Sequence, residues 1–305
     1  MTVRGLMARL GPALLAGVLL AGCSGGMPAP RDLSVEVQSS RDPAYDGERA
    51  PASAVLSLVP EEAVALTVTD FDEVKADLGL AGIGTADPAE ERATFWQRAE
   101  AETSMLNGGL LRNAEERLTQ EFSFSQLDVT WEAHWYDQTG AELGWALEIG
   151  PKVPMLFVQN AVKAGVGPLR GATVVPEDQL VVSGDVAQGQ GSWAEIPGID
   201  DLVGPADTAT YVERACLTSR VEGELEPLEM WSVGFESGLA TARLGPARRD
   251  LFERMRLGEQ ARSFRKGFEG GVADPRTGRI GYRMVDPARA AELALRQKLP
   301  FAACE

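Results

Sequence analysis

His134 is the only histidine among the 305 residues, so it limits the imidazole chemistry that this sequence offers. A Ser-His-Asp triad or a His-Cys pair would have to use His134, and the sequence contains no second histidine for a two-histidine metal site. It lies on the polar face of an alternating segment, between its neighbours Trp131 and Tyr136, and this alternation predicts a half-exposed strand. An isolated histidine on the polar side of a strand is typical of surface or hydrogen-bonded structure. We therefore predict no catalytic role for His134.

Carboxylate pairs are a second source of acid–base chemistry, because the chain contains 45 Asp and Glu residues. Glu132 and Glu148 lie on segments that we expect to pair as strands, and Asp200 and Asp201 lie in a glycine-rich stretch. Two converging carboxylates can hydrolyse a glycosidic bond. Sequence spacing does not distinguish these acids from solvated surface residues, so we assign no catalytic residue.

The glycine-rich and calcium-binding patterns are incomplete. Gly82-Ile83-Gly84 and Gly189-Gln190-Gly191 lack the later glycine of a dinucleotide-binding loop, and no Gly-Lys-Ser/Thr follows either of them. Ser192 is not part of a Gly-x-Ser-x-Gly elbow. Asp70-Phe71-Asp72 falls short of a calcium-binding loop. We predict no cofactor and no metal site.

A group of basic residues stands out in the C-terminal part of this acidic chain. Its members are Arg243, Arg248, Arg249, Arg254, Arg256, Arg262, Arg265 and Lys266. They could meet an anionic partner. Because several of them flank Leu251, Phe252 and Met255, we favour the polar face of an amphipathic helix.

The first residues combine a positive start, an apolar run and a cysteine. Arg4 and Arg9 precede the apolar run Leu10–Leu20. This run is shorter than the roughly 20 residues that a membrane-spanning helix requires. It ends in Leu20-Ala21-Gly22-Cys23, where small residues precede a cysteine at the position of cleavage.

This arrangement resembles the lipobox signal of bacterial lipoproteins. The resemblance implies that residues 1–22 are removed as a signal peptide and that Cys23 is linked to diacylglycerol, with acyl chains such as palmitate. It also implies a cell-membrane location on the extracytoplasmic face. The alternative is an ordinary secretory signal with a chance cysteine. The small residues of Ala240–Gly245 and Gly278–Tyr282 resemble actinobacterial envelope lipoproteins, which implies an envelope location and no particular activity.

Two further cysteines remain once Cys23 is assigned to the lipid. In an exported protein, Cys216 and Cys304 are most simply one disulfide bond. Such a bond would attach the apolar C-terminal tail to the middle of the fold. Two free thiols or a two-cysteine metal site remain alternatives, although no CxxC spacing or nearby histidine supports metal binding.

The overall charge argues against some partners. The net charge of −16 becomes −18 when Arg4 and Arg9 leave with the signal. Such a surface repels nucleic acid and anionic lipid headgroups. We therefore predict no nucleic-acid partner, and we expect the acidity to keep an exported protein soluble.

Hydrophobic content of 44% is sufficient for a packed core, and the pattern of segments indicates an α+β fold. Alternating runs predict hairpins at 129–149, 230–244 and about 270–285. Apolar stretches at helical spacing predict helices before, between and after these hairpins, and Asp70, Asp87 and Asp286 are the expected caps of three of them. We expect antiparallel sheets, one or two, with helices packed on one face. The first half follows the strand, helix, hairpin, helix, strand order of ferredoxin-like domains.

The sequence predicts four parts. These are a signal peptide at 1–22, a flexible tether rich in Gly, Pro and Ser at 23–57, an α+β half with a helical insertion at 58–215, and a second α+β half at 216–305 that ends in the disulfide-tied tail.

For function, we predict a membrane-anchored envelope protein that binds another envelope protein or a small molecule rather than catalysing a reaction. Two alternatives remain. One is a carboxylate- or metal-dependent hydrolase of the cell envelope, and the other is a lipid or glycolipid carrier, which would need a large apolar cavity.

Overall fold

Twelve strands and eight α-helices lie within residues 45–187, 191–204, 207–218 and 225–304, which are the residues that the computed structural model describes. The strands are β1 (Ala65–Asp70), β2 (Val129–Tyr136), β3 (Glu142–Ile149), β4 (Thr173–Val175), β5 (Leu180–Gly184), β6 (Ala209–Glu213), β7 (Leu217–Thr218), β8 (Trp231–Glu236), β9 (Leu239–Arg243), β10 (Phe268–Asp274), β11 (Arg279–Met284) and β12 (Ala303–Cys304). The helices are α1 (Pro51–Ala54), α2 (Phe71–Asp77), α3 (Ala89–Glu102), α4 (Glu115–Arg117), α5 (Met155–Lys163), α6 (Ile199–Leu202), α7 (Leu251–Gln260) and α8 (Pro287–Leu295).

Ten of these strands form one antiparallel sheet, which confirms the α+β class. Their order across the sheet is β10-β11-β9-β8-β6-β1-β2-β3-β5-β4. The three predicted hairpins are present as β2–β3, β8–β9 and β10–β11. Because β6 pairs with β8, the sheet continues across the boundary that the sequence predicts between residues 215 and 216. One sheet therefore spans both predicted halves, and β7 and β12 form a separate two-stranded sheet; the sequence leaves the number of sheets open.

The longer helices pack on one face of the sheet, which we call the helical face. Helices α2, α3 and α5 cover the part formed by β2 and β3, with Phe95 and Leu147 fully buried in one apolar cluster. Helices α7 and α8 cover the part formed by β8, β9 and β11, around Phe235 and Tyr282 in a second cluster. The opposite face packs against the short helices α1 and α6.

Helix caps follow the sequence signals at two of three positions. The Asp70 carboxylate accepts hydrogen bonds from the backbone N–H groups of Asp72 and Glu73, at 3.0 and 3.1 Å, and begins α2. Asp286 caps α8 in the same way. The prediction that Asp87 caps α3 is wrong, because its carboxylate accepts from the Gly84 N–H instead. Pro88 is the residue that precedes α3.

The folded region begins earlier than the predicted tether boundary at residue 57. Ala52, Val55 and Leu56 are buried against the sheet, and the Tyr45 hydroxyl reaches the Glu148 carboxylate at 3.3 Å. Residues 45–57 are therefore part of the domain, because their apolar side chains cover the face that the longer helices leave open. The rest of the predicted tether and the signal lie outside the described residues.

The first half resembles a ferredoxin-like domain in the order of its elements but not in the pairing of its strands. In a split βαβ unit, a third strand separates the first strand from the one that follows the helix. Here β1 pairs directly with β2, in antiparallel register from Ala65↔Tyr136 to Asp70↔Trp131. The insertion of α3 and α4 between these strands gives the chain enough length to return beside β1.

A disulfide bond joins Cys216 to Cys304, as the sequence predicts. Cys216 directly precedes β7, and Cys304 is the last residue of β12, which pairs with β7 in parallel. Phe301, three residues before Cys304, is fully buried in the cluster beneath α7 and α8. The bond therefore attaches a tail that also contributes to the core.

Loss of this disulfide is expected to destabilise the domain by about 2 to 4 kcal/mol, because the bond closes a loop of 88 residues in the unfolded chain. A Cys216→Ser, Cys304→Ser double variant should therefore melt at a lower temperature than the oxidised protein. Peptide mapping of the exported, non-reduced protein should recover the two cysteines in one linked fragment. Free thiols at both positions, or an unchanged melting temperature, would contradict the structural role.

Candidate functional site

A polar row crosses the helical face where the two apolar clusters meet. Thr67 and Thr69 on β1 lie opposite His134 and Glu132 on β2, and Tyr136 continues the row. We call these five residues the polar seam. Glu132 and His134 are 2% and 7% exposed, so the prediction of a half-exposed strand is wrong. The loop after α3 covers the polar side of β2 more fully than the alternation of this strand indicates.

His134 is held between two carboxylates. Its Nε2 lies 3.0 Å from Glu132 Oε1, and its Nδ1 lies 2.7 Å from Glu142 Oε2. Glu132 is two residues away on the same strand and shares the same face. Glu142 comes from the neighbouring β3, where an irregularity in the β2–β3 register sets it opposite Tyr136. His134 is therefore buried and hydrogen-bonded, which is one of the two placements that the sequence left open.

These contacts determine the charge of His134. Burial alone would lower the pKa of the imidazole, but hydrogen bonds and charge attraction from Glu132 and Glu142 raise it to about 9. The ring is an imidazolium at neutral pH, with both N–H groups donating. It has no free lone pair with which to accept a proton or bind a metal ion.

Glu132 also holds the loop that follows α3. Its Oε2 accepts from the Leu110 N–H at 2.8 Å and from Gln126 Nε2 at 3.0 Å. The side-chain oxygen of the same residue, Gln126 Oε1, in turn accepts from the Leu111 N–H at 2.7 Å. One buried carboxylate therefore binds the histidine, the loop and the start of the segment that leads into β2.

Asn107 ties the same loop to β1. Its Nδ2 donates to the Glu132 carbonyl oxygen at 2.8 Å, and its Oδ1 accepts from the Thr67 hydroxyl at 2.7 Å. The Thr69 hydroxyl oxygen accepts from the backbone N–H groups of Leu106 and Asn107, at 3.1 and 2.9 Å. The side chains of Asn107, Thr67 and Thr69 are all hydrogen-bonded, which makes the floor of the site rigid.

A cleft of about 1170 Å³ opens above this floor, between the polar seam and the face of α3. Besides Glu132, His134 and Tyr136, its lining includes Arg92, Trp96, Gln97, Arg112, Asn113 and Gln120. The Arg112 guanidinium lies over the Trp96 ring at 4.5 Å and pairs with Glu100 at 2.6 Å. The wall therefore presents planar amide and guanidinium groups beside an aromatic ring.

The charges that line the cleft are mostly neutralised locally. Arg92 pairs with Glu115 at 3.0 Å, and Arg112 pairs with Glu100. Together the lining contains five glutamates against two arginines and the His134 imidazolium. The net charge of the lining is therefore slightly negative, which disfavours an anionic ligand.

Two buried side-chain polar atoms of the lining residues have no hydrogen-bond partner within the described part of the chain. They are Trp96 Nε1, on a side chain that is 5% exposed, and Thr119 Oγ1. Buried polar groups are nearly always paired, and an exception beside a cavity points to a bound water molecule or ligand.

The predicted carboxylate candidates do not converge. Glu132 and Glu148 lie on neighbouring strands but on opposite faces, since Glu132 is opposite Leu147 and Glu148 is opposite Trp131. Glu148 accepts from the Thr130 hydroxyl at 2.6 Å, and Asp200 forms an exposed pair with Arg49. Asp201 is exposed. Within the described ranges, no group of His, Cys, Asp and Glu residues is arranged to hold a metal ion.

The basic residues after position 243 do not form one surface. Arg254 is fully buried and pairs with Asp250, which also pairs with Arg248. Arg243 is 5% exposed and pairs with Asp207. The interpretation as the polar face of one helix is therefore wrong for these arginines, because they pair with the buried acids Asp250 and Asp207.

Sequence reasoning missed Glu142, Asn107 and Gln126 as parts of the site. Glu142 lies beyond the hairpin turn, Asn107 lies in the loop after α3, and Gln126 lies in a short 3-10 helix directly before β2. The one usable signal was the Glu132-x-His134 spacing, which places an acid and an imidazole on one face of a strand.

We compared the chain with protein families, curated sequences and solved structures. No family model, curated protein sequence or solved structure matches the chain. Among the residues described, no helix is long and apolar enough to span a membrane. Cys23, the predicted lipidation site, lies outside the described residues.

Proposed function

We propose that this chain is a lipid-anchored protein of the cell envelope that binds an uncharged polar molecule in the cleft above the polar seam. The observation that carries the binding function is a large cleft with a rigid, fully hydrogen-bonded floor and a wall of amide, guanidinium and aromatic groups. Preformed clefts of this kind are typical of ligand sites. Several hydroxyl or amide groups on the ligand would match the donors and acceptors of the wall.

Binding accounts for the site better than catalysis. Both ring nitrogens of His134 are engaged by carboxylates, and both oxygens of Glu132 accept hydrogen bonds. A general acid or base needs a position from which it can exchange a proton with the substrate. Neither group has such a position. A lipid carrier would need an apolar cavity, whereas five glutamates and two arginines line this cleft.

Filling the cleft is expected to abolish ligand capture. Ala93 is an exposed residue of α3 that lines the cleft, so Ala93→Trp should occupy the cleft without disturbing the core. Ala101→Trp is the matched control, because Ala101 is exposed on the same helix and does not line the cleft. Native mass spectrometry and small-molecule analysis of protein purified from intact cells should detect a bound molecule with the parent and Ala101→Trp proteins only. Equal recovery from all three proteins, or none from the parent, would contradict the proposal.

The proposed anchor is tested separately at Cys23. A Cys23→Ala variant cannot form the thioether, so we expect it to leave the membrane fraction, whereas the parent protein remains there with acyl chains on Cys23. Two or more acyl chains are sufficient for stable anchoring. Membrane fractionation with mass spectrometry of the N-terminal peptide measures both. Unchanged membrane association of the variant would argue against lipidation as the anchor.

A further inference from the structure

A second buried carboxylate faces a separate cavity on the other side of Tyr136. Glu213, at the end of β6, is 5% exposed. Its Oε2 accepts from the Tyr211 hydroxyl at 2.5 Å, and its Oε1 accepts from Gln297 Nε2 at 3.0 Å. In the described part of the chain, no Arg, Lys or His side chain forms an ion pair with it. The carboxylate thus lacks the cationic partner that a buried charge normally has.

The cavity beside Glu213 has a volume of about 380 Å³. Tyr136 and Tyr211 contribute aromatic rings, Asp137 adds a second acid, and Leu295 lies at the exposed surface. The residues that line it include no Arg, Lys or His. Tyr211 is held in place by Trp231, whose ring centre lies 5.4 Å away. The site is therefore small, preformed and negative, with aromatic walls.

This combination matches one ligand class. A primary ammonium group supplies the positive charge that Glu213 lacks and N–H donors for its carboxylate, while tyrosine rings attract a nearby cation through their faces. An anion would be repelled by Glu213 and Asp137, and a neutral alcohol would leave the carboxylate without a counter-charge.

We propose that the cavity formed by Tyr136, Tyr211, Glu213, Leu295 and Gln297 is a binding site for a primary ammonium group on a short alkyl chain. This site is distinct from the cleft above the polar seam, although Tyr136 lines both cavities. Burial raises the pKa of Glu213, and an ammonium partner would favour the ionised carboxylate.

Titration calorimetry with n-butylammonium chloride tests the assignment, with n-butanol as the neutral probe of the same shape and sodium chloride matching the ionic strength. We expect butylammonium to bind at least tenfold more tightly than butanol. Glu213→Gln should weaken butylammonium at least tenfold and leave butanol unchanged, because only the charge is lost. Glu148→Gln is the matched control, since Glu148 is a hydrogen-bonded acid that forms no ion pair with Arg or Lys among the described residues, and it lies on the opposite face.

A second variant tests the site without changing Glu213, in case Glu213→Gln impairs folding. Leu295 is 46% exposed and lines the cavity, so Leu295→Trp should close the entrance with little cost to the core and weaken both probes. Equal affinity for the two probes, or full butylammonium binding by folded Glu213→Gln protein, would overturn the assignment. Ala93→Trp should leave butylammonium binding unchanged, so failure at this site and failure of the proposed cleft function are separate results.

Discussion

Replacing Arg254 with alanine is expected to lower the free energy of unfolding by about 3 to 5 kcal/mol. The Arg254 side chain is fully buried, and its Nε donates to Asp250 at 2.7 Å. Its other nitrogens donate to the backbone carbonyl oxygens of Phe301, Ala303 and Glu226, at 2.8, 2.8 and 2.7 Å. Removal of the guanidinium leaves the Phe301 and Ala303 oxygens without this donor and leaves a cavity in the core, whereas the Glu226 oxygen keeps its hydrogen bond from Arg248 Nη2.

Arg256→Ala on the same helix is the matched control for this experiment. Arg256 pairs with Glu253 at 2.7 Å, but its side chain is 59% exposed. An exposed ion pair of this kind contributes at most about 1 kcal/mol. Urea unfolding followed by tryptophan fluorescence measures both variants. If Arg254→Ala costs no more than Arg256→Ala, the buried arginine does not hold the C-terminal tail in the way that its contacts indicate.

Raising the pH from 6 to 9.5 is expected to remove about 3 kcal/mol of stability through His134 alone. The pKa of His134 is about 9 in the folded protein, against its ordinary value of 6.5. Because the folded pKa is raised, the contribution is fully present below pH 6.5 and is lost as the pH rises through 9. Burial raises the pKa values of Tyr45 and Tyr211 above their usual range, so the folded protein keeps these hydroxyls protonated in this window.

The titration itself can be observed directly, because His134 is the only histidine in the chain. Imidazole resonances followed by NMR, on protein carrying a purification tag without histidine, should give one midpoint near 9. Glu142→Gln removes one of the two carboxylates and should lower that midpoint, while His134→Gln should remove the matching loss of stability. A midpoint near 6.5 in the parent protein would show that the carboxylates do not hold the imidazolium.

Local signals in the sequence were sufficient for most elements of this fold. Asp70 and Asp286 cap their helices because a carboxylate one position before a helix satisfies free N–H groups, a contact that needs only neighbouring residues. The hairpin of β2 and β3 follows from alternating side chains on either side of a short turn. The disulfide followed from the count of cysteines and from the expectation of export.

Only the tertiary structure determined which polar residues are buried together. Glu132 and His134 read as the exposed side of a strand, yet a loop anchored by Asn107 covers them, and Glu142 reaches them across the sheet. Arg254 read as a surface residue and is instead enclosed by the C-terminal tail. The physical reason is that the periodicity of a segment shows only which of its side chains share a face. The burial of a charge depends on partners that are distant in the sequence, and their position is fixed only when the sheet and its helices pack.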